Sequence, residues 1–158
     1  HLPREFRSAV EESIKDGLCT GVLGNYPMAD VLVRVTGASY TPGESTEMAY
    51  RTAASFALRE ALRASDPTLL EPVMAVEILT PEESMGDVLG DLNARRARVR
   101  DLSSFEDVRV IRADVPLAEL FGYATALRSL TRGRASHSME PKSFEAVPES
   151  LQSGILNR

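Results

Sequence analysis

Between Val73 and Phe144 the apolar residues switch repeatedly between the period of a strand and that of a helix. The resulting order, strand, helix, strand, strand, helix, strand, restricts the fold more than any other feature of the chain. "VMAVEIL" (73–79) is a run of strand formers. "TPEE" after it has the form of a capping box, with Thr80 as N-cap, Pro81 at the first helical position and Glu83 reaching back. Met85, Val88, Leu89 and Leu92 then recur at i, i+3, i+4 and i+7, which predicts a helix packed by one face on a sheet. A short strand around Arg98 to Leu102 and a longer one, "VRVIRADV", flank the polar turn "SSFED". A second helix is expected from near Pro116 to Gly133, with Leu117, Leu120, Phe121, Ala124 and Leu127 turned inward, and "RASHSMEPKSF" is the last strand. The order is that of a ferredoxin-like split βαβ unit, an α+β domain whose helices cover one face of an antiparallel sheet.

Upstream, "LPREFRSAVEESIKDG" places Phe6, Ala9, Val10 and Ile14 at helical spacing, with Gly17 as the expected stop. "PMADVLVRVTG" reads as a strand and "ASYTPGES" as a turn. Ser45 or Thr46 then caps a helix whose Ala49, Ala53, Phe56 and Ala57 would face a core. A helix that starts at residue 2 or 3 suggests that the chain begins inside a domain. "DPTLLEP" is the expected boundary, and the tail "PESLQSGILNR" is either a short helix or frayed.

Composition narrows the function. One cysteine, Cys19, excludes an internal disulfide, and with two histidines it cannot supply a tetrahedral zinc site; a reduced, cytoplasmic protein is expected. No apolar run approaches the ~20 residues that span a bilayer, so no membrane partner is expected. Neither GxxxxGK[ST] nor GxGxxG occurs, so no glycine-rich loop is present to cradle phosphates. Nucleophilic catalysis has no base to use, because His1 is terminal and His137 lies in a predicted strand without a G-x-S-x-G elbow. Asp87 and Asp91 lie one helical turn apart, but Asp91 and Arg95 also form a favourable i, i+4 ion pair, and a solvated face is the simpler reading.

The net charge of -5 argues against bulk nucleic-acid binding. Arg95, Arg96, Arg98 and Arg100 nevertheless crowd the end of "MGDVLGDLNARRARVR", and Arg128, Arg132 and Arg134 mark the end of the second helix. Cations in a last helical turn gain about 0.3–1 kcal/mol from the helix dipole, which accounts for Arg95 and Arg96 but not for Arg98 and Arg100. Both helices are expected to end at the same edge of the sheet, which would bring the two groups together. Helix-end chemistry and a phosphate-facing patch both stay open on pattern alone. "FGYATA" superficially matches an RNA-recognition strand motif, but it is read here as helix with Phe121 in the core, so no stacking platform is expected.

In order, "LPREFRSAVEESI", "GNYPMADVLV", "SYTPGESTEMAYRTAASFA", "LLEPVMAVEILTPEESMGDVLGDLNARR" and "RADVPLAELFGYATALRSLTRGRASHSM" resemble the C-terminal part of elongation factor G, the translational GTPase of ribosomal translocation. The resemblance implies that residues 1–67 are the second half of the family's domain IV, a partial ribosomal-protein-like α/β domain, and residues 68–158 its ferredoxin-like domain V. It implies a cytoplasmic partner, the ribosome. The domain IV tip, here Ser39, Tyr40, Thr41 and Pro42, would reach the small-subunit decoding region with its tRNA and mRNA. Domain V would meet large-subunit rRNA and the stalk base through Arg95, Arg96, Arg98, Arg128, Arg132 and Arg134. The fragment would have no catalytic residue, metal or cofactor of its own; GTP and Mg would bind upstream in the full-length protein.

The chain departs from the family pattern at Thr41, where the family has His, and at Ala97 and Ala135, where it has Gly. Arg132 likewise replaces Gln. These departures fit a divergent paralogue, such as a ribosome-recycling or ribosomal-protection factor. The alternative of another class is a ferredoxin-like ligand- or protein-binding module unrelated to translation.

Overall fold

The computed structural model describes residues 2–157; His1 lies outside them. The chain folds into two compact units, one of Leu70–Val147 and one of the residues up to Leu69 together with those from Pro148 onward. The fold is α+β.

The Leu70–Val147 unit contains β1 (Leu70–Pro81), α3 (Met85–Ala94), β2 (Arg98–Phe105), β3 (Val108–Pro116), α4 (Tyr123–Thr131) and β4 (Ser136–Ala146). The other unit holds α1 (Arg7–Thr20), α2 (Glu47–Ala64) and α5 (Glu149–Leu156). The strands form one sheet in the order β2-β3-β1-β4, every neighbouring pair antiparallel. Side chains alternate across it, so Met74, Val76 and Ile78 of β1 and Ile111, Ala113 and Val115 of β3 share the face covered by the helices. Val88 and Leu92 of α3 and Tyr123 and Leu127 of α4 close this core. Each Val, Leu, Ile or Met among them contributes roughly 1.5–3 kcal/mol when fully buried.

Three expectations for this unit are corrected. Thr80 is not an N-cap: β1 stays paired with β3 as far as Pro81↔Val108, which keeps Thr80 buried in the sheet. A 3-10 turn, Glu82–Ser84, follows, and α3 begins at Met85 without a side-chain cap. The second helix does not run from Pro116, because a 3-10 turn, Leu117–Leu120, and Gly122 at φ 73 delay it to Tyr123. That interruption changes the helical phase: Tyr123 is 1% exposed, while Phe121 is 79% exposed and Ala124 also faces out. Finally, α3 follows β1 and α4 follows β3, and because β1 and β3 are antiparallel the two helices end at opposite ends of the sheet.

In the helical unit Gly17 is not a stop. It sits inside α1 where α2 packs closely, and a Cβ there would lie 2.6 Å from Leu58 Cδ2. The stop is Gly21, at φ 65 and ψ -168, whose N–H donates to Gly17 O at 2.9 Å. Thr46 caps α2 as expected, its Oγ1 accepting from Ala49 N at 3.2 Å. The face of α2 that is buried carries Tyr50, Leu58 and Leu62 rather than Ala49, Ala53, Phe56 and Ala57. Larger side chains gain more from packing on α1 than alanines do, and Phe56 is left exposed. The alanine row lines an open groove of about 700 Å³ beneath residues 31–39. The strand expected over 27–37 does not form, because among the described residues this unit holds no strand to pair with it. The tail forms α5, where Gln152 Nε2 donates to Thr68 Oγ1 at 3.2 Å.

Candidate nucleic-acid interface

Helices α3 and α4 end in the same way. In each, an N–H five residues on closes the last turn, Ala97 N to Leu92 O at 3.0 Å and Gly133 N to Arg128 O at 2.8 Å. In each, an arginine holds the left-handed position, Arg96 at φ 57 and Arg132 at φ 52. Ala97, where the family has glycine, is not at positive φ and packs against the core, so its Cβ meets no backbone strain.

The two guanidiniums have opposite surroundings. Arg96 donates to both oxygens of Glu71, at 2.7 and 2.8 Å, and to Glu119 Oε1 at 2.9 Å. The Glu71 hydrogen bonds, and then those to Glu119, outweigh the cost of burial and raise its pKa above that of a free arginine. Arg95 is also turned inward: Nε meets Asp91 at 2.8 Å, Nη1 donates to Glu119 O at 2.6 Å, and the group lies 5.1 Å from the centre of the Tyr123 ring. The Asp91–Arg95 pair expected from the sequence is formed. Arg95 and Arg96 thus form a clamp that fixes Glu119 and the start of β1.

Arg132 and Arg128 are exposed and make no ion pair or side-chain hydrogen bond among the described residues. They are the only described arginines of the Leu70–Val147 unit of which this is true. Thr125 and Ser129, also exposed, share their face of α4 at helical spacing. No Asp or Glu occurs from Leu120 to Met139. Arg134 pairs with Glu83, just beyond the end of β1. The Arg96 and Arg134 groups therefore stand about 30 Å apart along β1, and the expected juxtaposition of the two arginine clusters does not occur.

Arg98 and Arg100 lie on the open face of the sheet in a charge network. Arg98 meets Glu145 at 2.6 Å, Arg100 Nε lies 2.8 Å from Asp114 Oδ1, and Lys142 also pairs with Asp114, which is 4% exposed. Each cation here has a carboxylate partner within the unit.

In the helical unit Ser39, Tyr40, Thr41 and Pro42 form the turn before α2. Thr41 N donates to Ser45 Oγ at 2.9 Å, Ser45 N returns to Thr41 O at 3.0 Å, and Gly43 takes φ 82. Tyr50 Oη donates to Ser39 O at 2.8 Å and its ring stacks on Phe6 at 4.7 Å. No cation lies between Val35 and Tyr50, so this turn offers a phosphate only hydroxyls and amides.

His137 meets Tyr123 edge to face at 5.3 Å. The Tyr123 hydroxyl is buried without a hydrogen-bond partner among the described residues, and burial raises its pKa. Tyr123→Phe is therefore expected to leave the thermal midpoint unchanged or slightly raised, since no bond is lost. A fall of several degrees would reveal a partner for that hydroxyl.

No group of three or more His, Cys, Asp or Glu among the described residues is placed to hold a metal ion. No described helix is long and apolar enough to cross a membrane. Thr125, Ser129 and the exposed Phe121 are the surface residues that sequence reasoning missed; the carboxylate-free stretch around them was the available signal.

Two family models match the chain, "Elongation factor G, domain IV" over residues 1–66 and "Elongation factor G C-terminus" over residues 68–155. "Elongation factor G 2" of Syntrophomonas wolfei is 52% identical over 157 residues, covering 99% of this chain and 23% of that protein. A crystal structure from Thermus thermophilus superposes with a TM-score of 0.85 at 35% identity, covering 99% of this chain and 24% of that one. The chain thus spans about a quarter of the length of each.

Proposed function

The chain belongs to the elongation factor G family, and from that premise we propose that it is the ribosome-binding C-terminal part of a translational GTPase that promotes movement of tRNA and mRNA. It comprises the latter half of domain IV, to about residue 67, and domain V beyond it. GTP and Mg bind to an upstream domain, and this part acts mechanically, as a wedge positioned by RNA contacts. The factor works in the cytoplasm.

The observation that carries the reading is the pairing pattern of the arginines. An acidic chain that neutralises seven of nine arginines in its sheet unit leaves Arg128 and Arg132 bare on a stretch without carboxylates. Unpaired guanidiniums beside hydroxyls suit phosphate oxygens. We therefore assign large-subunit rRNA contact to Arg128 and Arg132. Arg95 and Arg96 brace the unit, Arg98 is held by Glu145 on the open face of the sheet, and Arg134 contributes after exchanging Glu83 for a phosphate. The Ser39–Pro42 turn meets the decoding region through uncharged donors.

In the full-length factor, Arg128→Ala plus Arg132→Ala is expected to reduce the salt slope of ribosome binding by about 1.5–2, near the value for two lost phosphate contacts. Binding measured between 50 and 200 mM salt tests this, and an unchanged slope removes the assignment.

Thr41, in place of the family's histidine, favours a second reading as a recycling or ribosomal-protection paralogue. Translocation and subunit-splitting assays on the complete factor separate the two.

A further inference from the structure

We propose that Phe121 is a base-stacking residue, which inserts against an unpaired base of the RNA that Arg128 and Arg132 face; the proposal rests on the ribosomal-RNA reading above. Phe121 is 79% exposed although its neighbours on both sides are anchored, with Leu120 at 6% and Tyr123 at 1%. The chain before it is held by the clamp, where Arg95 Nη1 donates to Glu119 O at 2.6 Å and Arg96 Nε to Glu119 Oε1 at 2.9 Å. The chain after it is turned by Gly122 at φ 73, where nothing lies within 4 Å of an added Cβ. Glycine is thus present for its conformation and not for space. The ring is held in solvent by fixed backbone on either side rather than by lack of order.

A large aromatic in this state forgoes the burial that normally stabilises such a side chain. The charge around it selects the occupant. Glu119, two residues before it, is already held by Arg96, and from Leu120 to Met139 the chain offers arginines and hydroxyls but no carboxylate, which complements a polyanion. α4, with nine residues, is about 13 Å long, so Phe121 at one end and Arg132 at the other span a few nucleotides. An aromatic face beside phosphate donors suits an RNA loop or bulge, whose bases are free to leave the stack, better than a duplex.

The test uses the full-length factor and ribosomes, with chemical protection of unpaired large-subunit rRNA bases as a second readout. Phe121→Leu and Phe121→Ala are each expected to weaken binding roughly tenfold with the salt slope unchanged, while Phe121→Trp keeps wild-type affinity. One base protected by the wild-type factor becomes reactive with Phe121→Leu. Full affinity and full protection with Phe121→Leu overturn stacking and point to an apolar contact with a ribosomal protein. If Phe121 variants bind normally while Arg128 and Arg132 variants lose slope, this inference fails and the RNA reading stands. Failure of both sets removes the RNA reading itself.

Discussion

Arg96→Ala is expected to destabilise the sheet unit by about 2–3 kcal/mol, between the roughly 3–5 kcal/mol of a broken buried ion pair and the 0–1 kcal/mol of a surface one. The side chains explain the placement: Arg96 is 28% exposed, Glu71 12% and Glu119 35%. Its removal leaves Glu71 a charge that is mostly withdrawn from water and has lost a two-oxygen partner. The left-handed backbone supplies an internal control. Both Arg and Ala strain that position by roughly 1 kcal/mol and Gly does not, so Arg96→Gly should lose about 1 kcal/mol less than Arg96→Ala. At the matching position of α4, where no pair is lost, Arg132→Gly should stabilise the unit while weakening ribosome binding. Urea unfolding of the three variants measures this, and a double-mutant cycle with Glu71→Gln isolates the pair. Equal stability of Arg96→Ala and wild type would show that the clamp is incidental.

That contrast marks where the sequence is legible. β1, β3 and α3 followed from their apolar residues, because in a two-layer unit the side of each element that packs is written in its spacing. Single residues with backbone consequences were harder. Gly122 breaks the helical phase only because its φ is positive, and nothing in "FGYATA" distinguishes that from a glycine tolerated in a helix. The misplacement of Phe121 follows from this angle together with the 3-10 turn before it. Arg96 looked like surface charge because its partners Glu71 and Glu119 are 25 and 23 residues away. The arginine groups stood out in the sequence but their distribution did not, since it depends on the antiparallel course of β1 and β3. The failed strand at 27–37 has a different cause: the residues have strand character, but a strand also needs a partner. Net charge was similarly uninformative, since most of the acids of the sheet unit are spent on its own arginines.

Gly21→Ala is expected to have the largest effect in the helical unit, above about 3 kcal/mol. At φ 65 and ψ -168 the residue occupies a region that essentially only glycine populates, which alone costs a side chain about 1–3 kcal/mol. The added Cβ would also lie 2.1 Å from Tyr26 O, a backbone atom that no rotamer change can move. Relief requires moving a turn held by Tyr26 N to Leu23 O at 3.1 Å and Met28 N to Leu18 O at 2.8 Å, so the end of α1 is undone with it. Gly17→Ala makes the opposite case. Its Cβ would meet Leu58 Cδ2 at 2.6 Å, but that is the end of a flexible side chain, and alanine gains roughly 1 kcal/mol over glycine inside a helix. The two changes remove the same residue type four positions apart, yet Gly17→Ala should stay within about 1 kcal/mol of wild type. Amide exchange separates them: Gly21→Ala should lose protection at the end of α1 and along 22–28, with β1 to β4 protected as before. Wild-type exchange in Gly21→Ala would mean that the turn has another conformation open to it at little cost.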